Sequence, residues 1–210
     1  MEENLAILMA DLSGYTALTE THGAVSAANL IDRYVEIVEK CLVGDSRVKE
    51  RTGDEVMIVS ASPDHLLSTA VMIMKHASKE ENFLQVHGGL HYGNVLNRNN
   101  SFFGSAVNLT ARIAAKADPG TFWCSGDFID ALGDKSAYKL RPKGKHSFKN
   151  VNEEKEITEV LNSQAKPFMV DPVCRMLILD KTIAIQHPGN PHLHFCSQAC
   201  LDIFKKQPAS

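Results

Sequence analysis

No apolar run in this 210-residue chain approaches the ~18 residues of a membrane span, so none is expected. The N-terminus carries Glu2 and Glu3 in place of the basic start of a secretory signal, and a cytoplasmic protein is expected. No block of lysine and arginine occurs and the net charge is −3, which disfavours nucleic acid as a partner. Repeats and low-complexity tracts are also lacking. Cysteine is scarce, five residues in all, and in a reducing compartment those thiols stay available as thiolates. What is present is globular: 44% hydrophobic residues, enough to bury a core, and a length beyond one minimal domain.

The patterning predicts an α/β protein, an α+β sandwich. A strand at about 4–11 precedes a helix in which Ile31, Tyr34, Val35, Val38 and Leu42 recur at helical spacing. A hairpin is predicted at about 46–60, turning at Gly53-Asp54, and Pro63 opens a helix with Leu66, Leu67, Ala70, Val71 and Met74. A strand at about 84–96, a helix carrying Asn108 and Arg112, a strand at about 120–124 and a hairpin at about 137–161 follow. Strand–helix–strand–strand–helix–strand order fits a ferredoxin-like sheet with its helices on one face. Cys41 and Cys124 read as buried small hydrophobes, and His22, His65 and His76 as solvated.

Two aspartates stand where carboxylates suit a phosphate. Asp11 ends the run Leu5-Ala6-Ile7-Leu8-Met9 and is followed by Ser13-Gly14, where backbone N–H groups can approach phosphate oxygens. Asp54 sits in the hairpin turn. Carboxylates on adjacent strand ends can hold two Mg²⁺ or Mn²⁺ ions against a triphosphate. In Gly104-Ser105-Ala106-Val107-Asn108-Leu109-Thr110-Ala111-Arg112-Ile113, the amide and the guanidinium lie four apart on one helix face, a donor pair suited to a phosphoryl oxyanion.

In this order, with Gly88-Gly89-Leu90-His91-Tyr92-Gly93 between them and Pro119-Gly120 beyond, these segments resemble the catalytic domain of the class III adenylate and guanylate cyclases. The resemblance covers residues 3–161 and delimits a first domain at 1–161. It implies a head-to-tail homodimer with each active site across the interface. Asp11 and Asp54 of one protomer would hold two Mg²⁺ or Mn²⁺ ions, and the segment Leu12, Ser13, Gly14, Tyr15 would cradle the polyphosphate. Asn108 and Arg112 of the other protomer would position the ribose and stabilise the transition state. Phe148-Lys149-Asn150-Val151 stands where the family often has Leu-Lys-Gly-Val, making Lys149 a phosphate contact, although Asn150 departs from the pattern.

The resemblance also places the purine-reading pair at Glu50 and Ser101. A carboxylate accepts from guanine N1–H and the 2-amino group and a serine hydroxyl donates to O6, so the pair favours GTP over ATP. A one-residue slip of the strand would present Lys49 and reverse this. Two other readings stay open: a cyclase-like domain that binds a nucleotide or a partner without turnover, and a metal sensor that uses the larger domain as a dimeric scaffold.

Beyond a polar stretch at 162–167, read as a linker, the composition changes. Asp171-Pro172-Val173-Cys174-Arg175-Met176 and His192-Leu193-His194-Phe195-Cys196-Ser197-Gln198-Ala199-Cys200 gather three of the five cysteines. Cys196 and Cys200 lie four apart and share a helical face. This segment, 168–210, resembles the YHS domain, a small treble-clef-like metal module, with Arg175 where that family usually has glycine. The resemblance implies Cys174, Cys196 and Cys200 as thiolate ligands, with His192 or His194 as a candidate fourth. Soft thiolates favour Zn²⁺ or another thiophilic ion, which would supply folding free energy to so small a unit.

Overall fold

The computed structural model describes residues 2–99, 101–162 and 169–207. The predicted linker, Asn162 apart, lies outside these residues. Strand β1 (Glu2–Leu12) leads into helix α1 (Tyr15–Cys41); a hairpin of β2 (Arg47–Thr52) and β3 (Glu55–Ser60) follows, then α2 (Pro63–Ala77) and β4 (Val86–Arg98). These build an antiparallel sheet in the order β2-β3-β1-β4, the expected ferredoxin-like core. The chain continues through β5 (Ser101–Phe103), α3 (Ser105–Lys116), β6 (Phe122–Ser125), α4 (Gly126–Asp130), β7 (Leu140–His146) and β8 (Lys155–Val160). Strand β5 pairs with β4, while β6 joins β4 in parallel and extends the sheet through β8 to β7.

Strand β1 is apolar on both sides, and its period of two divides its side chains between two cores. Ala6, Leu8, Ala10 and Leu12 pack with Leu30, Tyr34 and Val38 of α1 and Leu66, Leu67, Ala70 and Ile73 of α2. Leu5, Ile7 and Met9 pack with Ala106 and Ala114 of α3. Helix α2 starts as its sequence dictates: the Ser62 hydroxyl accepts from the His65 N–H and Pro63 occupies the first turn.

The expectation of the core's helices on one face holds for α1 and α2, and α3, which follows that core, covers the opposite face. The Gly88-Gly89 pair permits this. A Cβ on Gly89 would collide with the Ala114 N and lie 2.7 Å from the Thr110 O, so α3 rests its backbone on the strand there.

The C-terminal segment pairs β9 (Met169–Val170) with β10 (Leu177–Ile178) and β11 (Ile185–His187) with β12 (Asn190–Phe195), and ends in α5 (Gln198–Lys206). A small cluster of Cys174, Phe195, Cys200 and Leu201 forms its core. The segment is seated on the larger body by backbone bonds: Asn82 donates to the Leu177 carbonyl at 3.1 Å and Leu177 donates to the Phe83 carbonyl at 2.6 Å. The Leu179 N–H adds a bond to Glu81 Oε2 at 3.0 Å. Among the described residues, no helix is long and apolar enough to cross a membrane.

Candidate functional site

Asp11 reaches the end of β1, and Asp54 sits in the two-residue turn where Thr52 pairs with Glu55 and Gly53 takes a left-handed φ of 61°. Antiparallel pairing of β1 with β3 brings this turn beside Asp11. The Asp54 carboxyl is pushed up to about 7, first by burial and then by its interaction with the neighbouring Asp11 carboxyl. Glu55 is raised too, by burial and by the Asp11 charge. Beneath them Tyr34 is buried with a hydroxyl that has no hydrogen-bond partner among the described residues. Two neighbouring acids, one of them held above its ordinary range, fit a divalent cation, which would relieve their repulsion.

The segment after Asp11 supplies mostly backbone. Leu12 is buried in the core and its N–H bonds the Asp11 carboxylate at 2.9 Å. Ser13 Oγ lies 2.9 Å from His87 Nδ1, and burial lowers the pKa of that imidazole. Gly14 caps α1 at a φ of 92° with no side-chain cap, and the first turn carries no acid. The helix therefore presents uncapped N–H groups beside the carboxylate pair, a setting that favours an anion. Tyr15 opens α1 and packs partly against the core.

Asn108 and Arg112 project from α3 into a separate cleft of ≈ 660 Å³, which also takes His91, Asp127 and Lys155. Neither Asp11 nor Asp54 lines it. His91 Nδ1 lies 2.7 Å from Ser125 Oγ, and burial lowers its pKa. Lys149 stands exposed in the turn before β8 and does not line the cleft, whereas Lys155, which the sequence reading missed, does. Asn150 adopts a φ of 59°, and asparagine tolerates this left-handed conformation, so it replaces the family's glycine at little strain.

Glu50 lines a small groove with Met9, Met57 and Val107, and Ser101 opens β5 half-buried. Strand β2 contains a bulge between Val48 and Glu50. Lys49 also reaches the α3 side of the sheet, its ammonium 4.5 Å from the centroid of the Phe102 ring. The bulge thus brings Lys49 and Glu50 to one face, where a regular strand would separate them.

In the C-terminal segment, Cys174 Sγ lies 3.5 Å from Cys196 Sγ, which lies 3.7 Å from Cys200 Sγ. The buried Asp171 carboxylate fastens the two halves together, accepting from the N–H groups of Val173, Cys174 and Cys196. The Cys174–Cys196 hydrogen bond raises the Cys174 thiol and lowers Cys196, while burial pushes Cys200 up to about 12. The soft donors of this cluster fit a thiophilic ion. Neither His192 nor His194 joins it. The imidazole beside the thiols is His22 of α1, with Nε2 3.7 Å from Cys196 Sγ and 3.6 Å from Cys200 Sγ. The expectation of a solvated His22 is thereby overturned: folding brings α1 against the C-terminal segment. Arg175 takes a φ of 67°, a left-handed position that glycine would adopt without strain.

A ferredoxin-like sheet extended by β6–β8, with paired carboxylates beside a bare helix N-terminus and an Asn–Arg pair on α3, defines the nucleotide cyclase class of catalytic domain. The chain belongs to the adenylate and guanylate cyclase catalytic domain family, whose model matches residues 1–163. An uncharacterized protein of Mycobacterium tuberculosis is 38% identical over 126 residues, 60% of this chain and 33% of its own length. An adenylate cyclase of Glutamicibacter nicotianae is 32% identical over 117 residues, 55% of this chain and 29% of its own. The chain therefore spans about a third of the curated relatives it matches. The fold matches the adenylyl cyclase CyaB from P. aeruginosa with a TM-score of 0.66 at 18% identity, covering 80% of this chain and 98% of that one. It also matches the guanylate cyclase domain of RhGC from Catenaria anguillulae in complex with GTP, at 0.65 and 16% identity, covering 77% and 98%.

Proposed function

We propose that the chain converts a purine nucleoside triphosphate, GTP in preference to ATP, into the 3′,5′-cyclic nucleotide and pyrophosphate at the interface of a head-to-tail homodimer. The observation that carries this reading is the juxtaposed Asp11–Asp54 carboxylate pair beside the uncapped start of α1. These carboxylates would hold two Mg²⁺ or Mn²⁺ ions, which when bound supply charge neutralisation on the triphosphate and a more acidic ribose 3′-hydroxyl. Within residues 12–15, the N–H groups of Gly14 and Tyr15 would hold the polyphosphate, since those of Leu12 and Ser13 bond Asp11 and the Gln85 carbonyl. From the partner, the Asn108 amide would orient the ribose and the Arg112 guanidinium would stabilise negative charge as the α-phosphate is attacked. Lys155 is better placed than Lys149 to add positive charge in that cleft. Residues 168–210 act as a metal module of the YHS type, its thiolates holding Zn²⁺ or a similar ion.

The guanine preference rests on Glu50 in its groove while the Lys49 ammonium is held over Phe102. The bulge favours a second reading, adenine read by Lys49, and several matched relatives are named adenylate cyclases. Product analysis of the purified protein with GTP or ATP and Mn²⁺, alongside Asp54→Asn, tests both. Cyclic GMP is expected, reduced by at least about 100-fold in the variant. Cyclic AMP would move base recognition to Lys49. A protein that binds nucleotide and forms no product would replace the enzyme with a binding regulator.

A further inference from the structure

The thiol cluster is completed from the other end of the chain. A tetrahedral Zn²⁺ site with Zn–S of about 2.3 Å and Zn–N of about 2.0–2.1 Å has S···S edges of about 3.8 Å and N···S edges of about 3.6 Å. The separations among Cys174, Cys196 and Cys200, 3.5 and 3.7 Å, and those from His22 Nε2, 3.7 and 3.6 Å, lie close to these edges. All four donor atoms fall within 4.8 Å of one another. We propose that His22, Cys174, Cys196 and Cys200 form one site for a thiophilic divalent ion, and that the ion clamps the C-terminal segment onto the first turns of α1.

Local geometry places His22 for this role. Helix α1 breaks at Gly23, whose φ of 79° and ψ of 169° are open to glycine, so His22 ends the first stretch of the helix instead of running on within it. That stretch, residues 15–22, spans about 12 Å. At its other end is Gly14, where a Cβ would lie only 2.6 Å from Cβ and Cγ of Arg175. Arg175 adjoins Cys174, so the contacts close a ring: ion, His22, helix, Gly14, Arg175, Cys174. Arg175 is exposed, and the base of its side chain, Cβ and Cγ, lies against Gly14 at the start of the backbone assigned to the polyphosphate. Metal occupancy then orders the phosphate loop from the far side of the helix.

This inference rests on the thiolate-metal reading of the C-terminal segment, and the experiment separates the two. Full-length protein is titrated with Co²⁺ and Zn²⁺, with visible spectra, chelator competition and hydrogen exchange over residues 13–18; melting curves confirm that each variant folds. With Asp11 and Asp54 kept saturated by excess Mg²⁺ throughout, the wild type is expected to take one Co²⁺ or Zn²⁺ per chain at the thiols and to gain protection over 13–18. His22→Ala should lose more than about 100-fold in affinity, beyond the loss of an outer hydrogen-bond partner, and should lose the metal-dependent protection. His22→Cys should restore tight binding with a Co²⁺ spectrum of greater thiolate character. Wild-type affinity and an unchanged Co²⁺ spectrum in His22→Ala would overturn the ligand, and wild-type protection over 13–18 that ignores the ion would overturn the clamp. Failure of the wild type to bind metal, its thiols oxidising to a disulfide, would remove the metal module itself.

Discussion

Asp54 is the residue at which stability and chemistry oppose each other. Its carboxyl titrates at about 7 in the fold, against an ordinary 3.8, because burial and the Asp11 carboxyl both penalise ionisation. Between those values the folded chain binds more protons than the unfolded one. Without divalent cation, stability should therefore be greatest below pH 4 as far as this group is concerned, and should fall as pH rises toward 7. Asp54→Asn should flatten that slope and raise the denaturant midpoint at pH 8, by on the order of 1 kcal/mol after screening by solvent. A variant no more stable than wild type at pH 8 would show that the pair is not strained. Both aspartates were legible in the sequence because each sits in a distinctive local setting, a strand end and a Gly-Asp turn. His22 was not: it lies 174 residues from Cys196, and a lone histidine on a helix carries no local mark of what folds against it.

Single glycines decide how two of the helices serve the site. The break in α1 at Gly23 meets open space, with nothing within 4 Å of an added Cβ, so Gly23→Ala would be penalised by backbone strain alone. We expect a loss of about 1–3 kcal/mol in chemical denaturation, accompanied by weaker retention of soft metal as His22 shifts. An unchanged midpoint would mean that the break tolerates a side chain. The elements themselves were readable to within a few residues, since Pro63, Gly53-Asp54 and the alternating apolar positions mark their ends. The face taken by α3 was not, because strand–helix order is silent on which side a helix crosses. The signal was nonetheless there in Gly88-Gly89, where adjacent residues point to opposite faces and neither spares room for a side chain. The purine reader failed to resolve for a related reason, a bulge in β2 that alternation could not foresee.

At the scale of the molecule, the Asn108–Arg112 cleft is lined by neither Asp11 nor Asp54, so the proposed site calls for a second protomer. If two protomers complete each other, mixing inactive Asp54→Asn and Arg112→Ala proteins should restore activity. Random exchange makes half of the dimers mixed, each with one intact site of two, so about a quarter of wild-type turnover is expected. No recovery after verified exchange would place both halves of the machinery within one chain. The seam between body and C-terminal segment has a further consequence. A cut anywhere in 163–168 would look like a clean separation of two units, yet it would leave three thiols on one product and their imidazole on the other. Grafted onto a different cyclase body, residues 168–210 would arrive with a gap in the coordination shell, and only hosts offering a histidine at the end of the first helical stretch could accept the graft as a working part.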